Sequence, residues 1–220
     1  SIFSMNLKSF GCSFIFGNDL KDDGRDGKYA TPSKLTWPAL LAQECNFDYT
    51  CYAKPGSGNL RILESILTHA ASGEKDLFVI GWTWIDRFDY TDLVDKWNTI
   101  LPVDDGALAR TYYKELHSQF RDKLTTLIHI KTAIDTLNHY RIPFIMTFMD
   151  ELIFETKWHT TPAVTSTQDF IRPYMTTFQG KTFLDWSRKN NYEISPTLHP
   201  LEQAHAAASK LMIEEIRKSF

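Results

Sequence analysis

Residues 76–82, DLFVIGW, narrow the folds open to this chain more than any other stretch. Past its first residue the run offers nothing to turn toward water. It needs cover on both faces, the condition of a central strand in a parallel sheet. Residues 142–148, IPFIMTF, repeat that signature. Two shorter strands are predicted upstream, one ending at Gly11 in LKSFGCSF and one over 47–53, FDYTCYA, where apolar and polar residues alternate.

Helical patterns lie between these runs. SKLTWPALLAQEC places Leu35, Leu40 and Leu41 on one side, with Pro38 in the first turn. GSGNLRILESILTHAA enters through glycines and predicts Leu60, Leu63, Ile66 and Leu67 as its buried stripe. Residues 108–140 carry a long helical pattern that a bend or break divides, and the chain closes on a helix with Pro200 at its start. Strands alternating with helices at these lengths predict a three-layer α/β/α sandwich around a central parallel sheet. Residues 1–220 read as one domain, with irregular insertions near 84–107 and 150–180. The polar, glycine-rich segment KDDGRDGKYATPSK is expected to be an exposed loop.

With 220 residues, 43% hydrophobic and 23% charged, the chain has enough material for one substantial core. A net charge of −3 offers no general attraction for nucleic acid or anionic membrane, so neither partner is expected. No apolar run approaches the length of a membrane span. SIFSMNLKSF lacks the pattern of a secretory leader, which points to a cytoplasmic or virion-associated protein. Three cysteines without a CxxC pair fit reduced thiols, with a Cys45–Cys51 pairing as the minor alternative. No metal site or organic cofactor is expected.

Ligands of open parallel sheets bind beyond the carboxyl ends of the strands. The predicted strands deliver GCSF, KPGSGN and GWTW to that rim, and with them Ser13, Gly58 and Thr83. His199, just before the last helix, is the candidate base. A hydroxyl, an imidazole and hydrogen-bond donors are the parts an acyl-transfer site requires.

In this order the pieces resemble the SGNH, or GDSL-like, hydrolases, in the form found in bacteriophage genomes. FGCSFIFG is similar to the first block, PGSGNLRI to the second and TLHPLEQAH to the last, while VIGWTWIDRF falls where the third belongs. The resemblance implies a flavodoxin-like SGNH hydrolase fold and an esterase that works through an acyl-enzyme. It implies Ser13 as nucleophile, His199 as base, and the Ser13 amide, Gly58 amide and Thr83 hydroxyl as oxyanion donors. The substrate it implies is a small-molecule or glycan ester, such as an O-acetylated carbohydrate.

Three departures matter. Cys12 replaces the usual aspartate, Thr83 the usual asparagine, and Pro196 stands where an aspartate precedes the histidine. A Ser–His dyad is therefore expected, its imidazole oriented by a backbone carbonyl or a carboxylate from elsewhere; Asp185 and Glu193 are nearest upstream. Asn59, Trp82, Trp84 and Arg87 are candidate substrate contacts, each with a plain structural role as its alternative: helix cap, core filler or surface ion pair. His205 is expected on the helix surface. The same pieces leave a non-catalytic binding protein and an acyltransferase open. A nucleotide-binding protein is disfavoured, because GSGN is neither GxGxxG nor a P-loop.

Overall fold

The computed structural model describes residues 5–24, 31–72 and 75–219. Residues 1–4, where a leader would begin, and residues 25–30, the centre of the predicted polar loop, lie outside the described residues.

Four parallel strands form the central sheet: β1 (Asn6–Phe10), β2 (Asp48–Cys51), β3 (Asp76–Trp82) and β6 (Phe144–Phe148), in the order β2-β1-β3-β6. Every residue of β3 is buried, as an apolar run paired on both edges and covered on both faces must be. The chain leaves β1 toward β2 on one side and returns to β3 on the other. The crevice where the connections diverge therefore opens directly above β1.

Helices cover each face. On one lie α2 (Trp37–Glu44), α7 (Phe183–Lys189) and α8 (Glu202–Ser219), packed over Leu7, Val79, Trp37, Phe183 and Met212. On the other lie α3 (Asn59–Ala70), α5 (Gln119–His139) and α6 (Pro162–Ile171), over Phe10, Phe78, Ile80 and Ile130. The long helical pattern does break: α4 (Ala107–Thr111) runs into a wide π turn at Tyr112–Leu116, and α5 restarts after Ser118, whose hydroxyl accepts the Arg121 N–H. The stripe of α3 is rotated from expectation. Ile62, Leu63, Ile66 and Ala70 are buried, whereas Leu60 and Leu67 stay 39% and 40% exposed. The helix rolls so that this narrower seam meets both the sheet and α5.

The 84–107 insertion holds an antiparallel hairpin of β4 (Phe88–Thr91) and β5 (Trp97–Ile100). Ile100, Ala109 and Tyr112 form a small separate core beneath it, joined by Phe88, Tyr90 and Tyr113. The other insertion contributes α6 and two short 3₁₀ turns at Glu151–Phe154 and Arg172–Tyr174. The short α1 (Ser13–Phe16) follows β1 directly. All three cysteines are free thiols. Among the described residues no helix is long and apolar enough to cross a membrane, and no group of His, Cys, Asp or Glu could hold a metal ion.

His205 is not on the surface of α8. It is 2% exposed, and its Nδ1 accepts the Trp37 backbone N–H at 2.9 Å, tying α8 to α2. Burial pushes its pKa down to about 3, so it is neutral in the folded protein. A depressed imidazole pKa contributes stability that is whole above the unfolded value near 6.5. That contribution is lost progressively as pH falls toward the folded value. Urea denaturation of wild type and His205→Gln at pH 7.5 and pH 4.5 should therefore show the wild-type advantage shrinking in acid.

Candidate active site

The rim of the sheet is assembled first by a tight reversal after β1. Cys12 caps α1, a single turn whose Gly17 adopts φ +99° while its N–H donates to the Ser13 carbonyl. A Cβ at Gly17 would lie 2.4 Å from that of Ser33, so only glycine fits there. Asn18 N–H donates to the same carbonyl, and Asp19 follows at φ +70°, a conformation aspartate tolerates better than most residues. The chain thus doubles back within six residues. Ser13 and Asp19 come to lie on opposite sides of one imidazole.

That imidazole is His199. Its Nε2 lies 2.8 Å from Ser13 Oγ and its Nδ1 lies 2.8 Å from Asp19 Oδ2. With a carboxylate on Nδ1, that nitrogen carries the proton, and Nε2 is left to accept from the serine hydroxyl. The loop before α8 is built to present the ring. Ser195 N–H donates to the His199 carbonyl at 2.9 Å, and His199 N–H donates to Ser195 Oγ at 3.1 Å. Phe14 packs against the ring at 4.8 Å between centroids. The side chains of His199 and Asp19 are only 12% and 17% exposed.

Asp19 does more than face the histidine. Ser195 Oγ donates to its Oδ2 at 2.7 Å, and Thr197 Oγ donates to the same oxygen. Burial pushes the Asp19 carboxyl up, but the bonds from Thr197, Ser195 and His199 outweigh it and hold the group well below the usual carboxylate range. It is therefore ionised across the neutral range.

This corrects the expected dyad. Among the described residues it is Asp19, not Asp185 or Glu193, whose carboxylate meets the ring. Asp185 instead pairs with Arg188 at 3.4 Å. The carboxylate arrives from the far side, out of the segment that follows the serine, so Pro196 need not supply one. The only signal for it in the sequence was the Gly-Asn-Asp turn three residues beyond Phe14. Cys12, fully buried with its Sγ 3.7 Å from Met149 Sδ, is no rival nucleophile.

The expected oxyanion donors fare unequally. Ser13 opens α1, so its N–H has no acceptor within the helix. Gly58 N–H, in contrast, donates to Asp89 Oδ1 at 2.9 Å, and Arg61 N–H donates to Asp89 Oδ2 at 2.8 Å. Asp89 reaches over from the hairpin and caps α3, where the carboxylate also meets the positive end of the helix dipole. A Cβ at Gly58 would lie 2.7 Å from that carboxylate, which explains the glycine structurally. The Thr83 hydroxyl is buried and has no hydrogen-bond partner among the described residues.

The four expected substrate contacts divide likewise. Asn59 is 4% exposed; its carboxamide accepts the Thr83 N–H at 2.8 Å and donates to the Thr83 carbonyl at 3.1 Å. It fastens α3 to the end of β3. Trp82, 1% exposed, is core. Trp84 is half-buried and stands edge-on to Phe14, whose ring packs against His199. Arg87 donates to the Ser57 carbonyl at 2.9 Å and lines a cavity of about 250 Å³ between α3, α5 and β4.

No protein-family model matches the chain, and no curated protein sequence matches it either. Solved structures do. An esterase, EstA, from Pseudoalteromonas sp. is similar at a TM-score of 0.54 and 11% identity over 98% of each chain. A G-D-S-L lipolytic family protein from Veillonella parvula is similar at 0.52 and 11% identity, over 96% of this chain and 97% of the other. The acetyl xylan esterase Est2A from Butyrivibrio proteoclasticus reaches 0.56 and 13% identity, covering all of this chain and 64% of that one. The chain therefore has the fold of the GDSL, or SGNH, hydrolases.

Replacing Asn59 by leucine should strand a buried N–H and carbonyl at Thr83. Each uncompensated group costs about 1–3 kcal/mol, so the urea midpoint should fall clearly below that of wild type.

Proposed function

We propose that this protein is a serine esterase whose working unit is a Ser13–His199–Asp19 triad. The observation that carries the reading is the unbroken line of short contacts from Ser13 Oγ through both ring nitrogens to Asp19. His199 Nε2 takes the Ser13 proton as Oγ attacks the ester carbonyl. The alcohol then leaves with that proton, and an acyl-serine remains. Water attacks it, His199 accepts the water's proton, and the acid departs as Oγ recovers its hydrogen. Asp19 holds the ring in the required tautomer and stabilises the imidazolium formed in each half-reaction. The Ser13 amide is the oxyanion donor this geometry favours, and Trp84, edge-on to Phe14, is the expected substrate contact that lies nearest the imidazole.

Esterases among the structural neighbours support ester hydrolysis as the chemistry, and the acetyl xylan esterase supports an O-acylated carbohydrate as the kind of substrate. An acyltransferase would use the same acyl-serine with an alcohol in place of water. Nothing in the geometry favours that acceptor.

Hydrolysis of p-nitrophenyl acetate should vanish in Ser13→Ala. Asp19→Asn should keep the fold and lose roughly 10³–10⁴ in kcat, the cost of stabilising the wrong tautomer. A fluorophosphonate should label wild type and not Ser13→Ala; an unlabelled wild-type protein would sink the reading. Thr83→Val should keep kcat within about threefold, whereas loss of an engaged oxyanion donor costs about 10²–10³.

A further inference from the structure

A second cavity, of about 230 Å³, opens beside α3 on the β2 side of the sheet. Gly11, two residues before Ser13, is part of its lining. Lys54 N–H donates to the Gly11 carbonyl at 3.1 Å, which holds the loop after β2 against the strand end that delivers the serine. One wall is aromatic. Tyr52 lies over His69 at 3.7 Å and stacks on Phe10 at 5.6 Å, so those rings occupy one another's faces. Trp97, at the start of β5, lines the same cavity and makes no ring contact among the described residues.

The charges around this cavity are unbalanced. Lys54, Arg61 and Glu64 all line it. Glu64 accepts a hydrogen bond from Thr68 at 3.1 Å, whereas neither the Lys54 ammonium nor the Arg61 guanidinium meets a partner among the described residues. Two cations without a carboxylate partner among the described residues thus flank a half-buried indole. The hairpin positions that indole. Trp97 pairs with Thr91, two residues from the Asp89 carboxylate that pins β4 to the start of α3.

An aliphatic acyl chain would cover the half-buried Arg61 side chain without offering it a counter-ion and would make no use of Lys54. A lone phosphate would satisfy them and leave the indole idle. A pyranose ring that carries a carboxylate uses all three, its C–H face on Trp97 and its anion on the Arg61 fork and Lys54. We propose that this cavity is a subsite for a carboxylate-bearing sugar, so that the alcohol half of the ester cleaved at Ser13 is an acidic saccharide. The inference rests on the esterase reading for its placement but is tested apart from it.

The experiment is calorimetric titration of full-length Ser13→Ala with trigalacturonate and with uncharged galactotriose. Trigalacturonate should bind at least tenfold more tightly. Adding Trp97→Ala should weaken it tenfold or more, and adding Arg61→Met should abolish the preference for the acidic sugar. Arg61→Met leaves the backbone bond to Asp89 intact, so it reports even where Trp97→Ala fails to fold. Absence of trigalacturonate binding, equal binding of the two sugars, or displacement by inorganic phosphate at equal concentration would overturn the subsite. Turnover of p-nitrophenyl acetate by wild type without sugar binding sinks the subsite alone. Sugar binding without turnover sinks the esterase reading and leaves the subsite standing.

Discussion

One carboxylate oxygen, Asp19 Oδ2, joins two parts of the chain 180 residues apart. It accepts from Ser195, Thr197 and His199 together, so the loop that presents the imidazole is folded around the charge that orients it. A carboxylate largely withdrawn from solvent is tolerable only when such donors replace its water. Here the donors that stabilise the charge also shape the loop. Removing the charge would loosen the loop as well as misalign the ring, so under the proposed mechanism catalysis and local order would depend on one interaction.

A second carboxylate plays the corresponding part on the other side of the rim. Asp89 closes the start of α3 and accepts from Thr99 at 2.5 Å within its own hairpin. The hairpin is thereby locked to the scaffold rather than left as a loose flap, and the two cavities beside α3 draw one wall each from it. The glycine at position 58 serves this lock. An amide that would polarise a carbonyl in another arrangement is here committed to holding the insertion in place.

The sheet and the helices over it were legible because their signals are local. Continuous apolar runs at β3 and β6, Pro38 in the first turn of α2 and Pro200 shortly before α8 each state their structure within a few residues. The roll of α3, the burial of His205 and the β4–β5 hairpin were not legible, since each depends on what lies across a packed interface. His205 shows the limit well: nothing near it in sequence reveals that Trp37, 168 residues away, needs its nitrogen.

By itself the sequence determined that a serine and a histidine stand at the carboxyl ends of a parallel sheet, because strand order and loop position follow from hydrophobic pattern. Only the tertiary structure decided which carboxylate completes the set and which polar groups are already engaged. Asp19 is near Ser13 in sequence and meets His199 only because Gly17 turns the chain under it. Asn59, Gly58 and Trp82 are turned inward by contacts with Thr83, Asp89 and the core. Hydrogen-bond partners are chosen by distance in space, and a linear pattern carries no record of that choice.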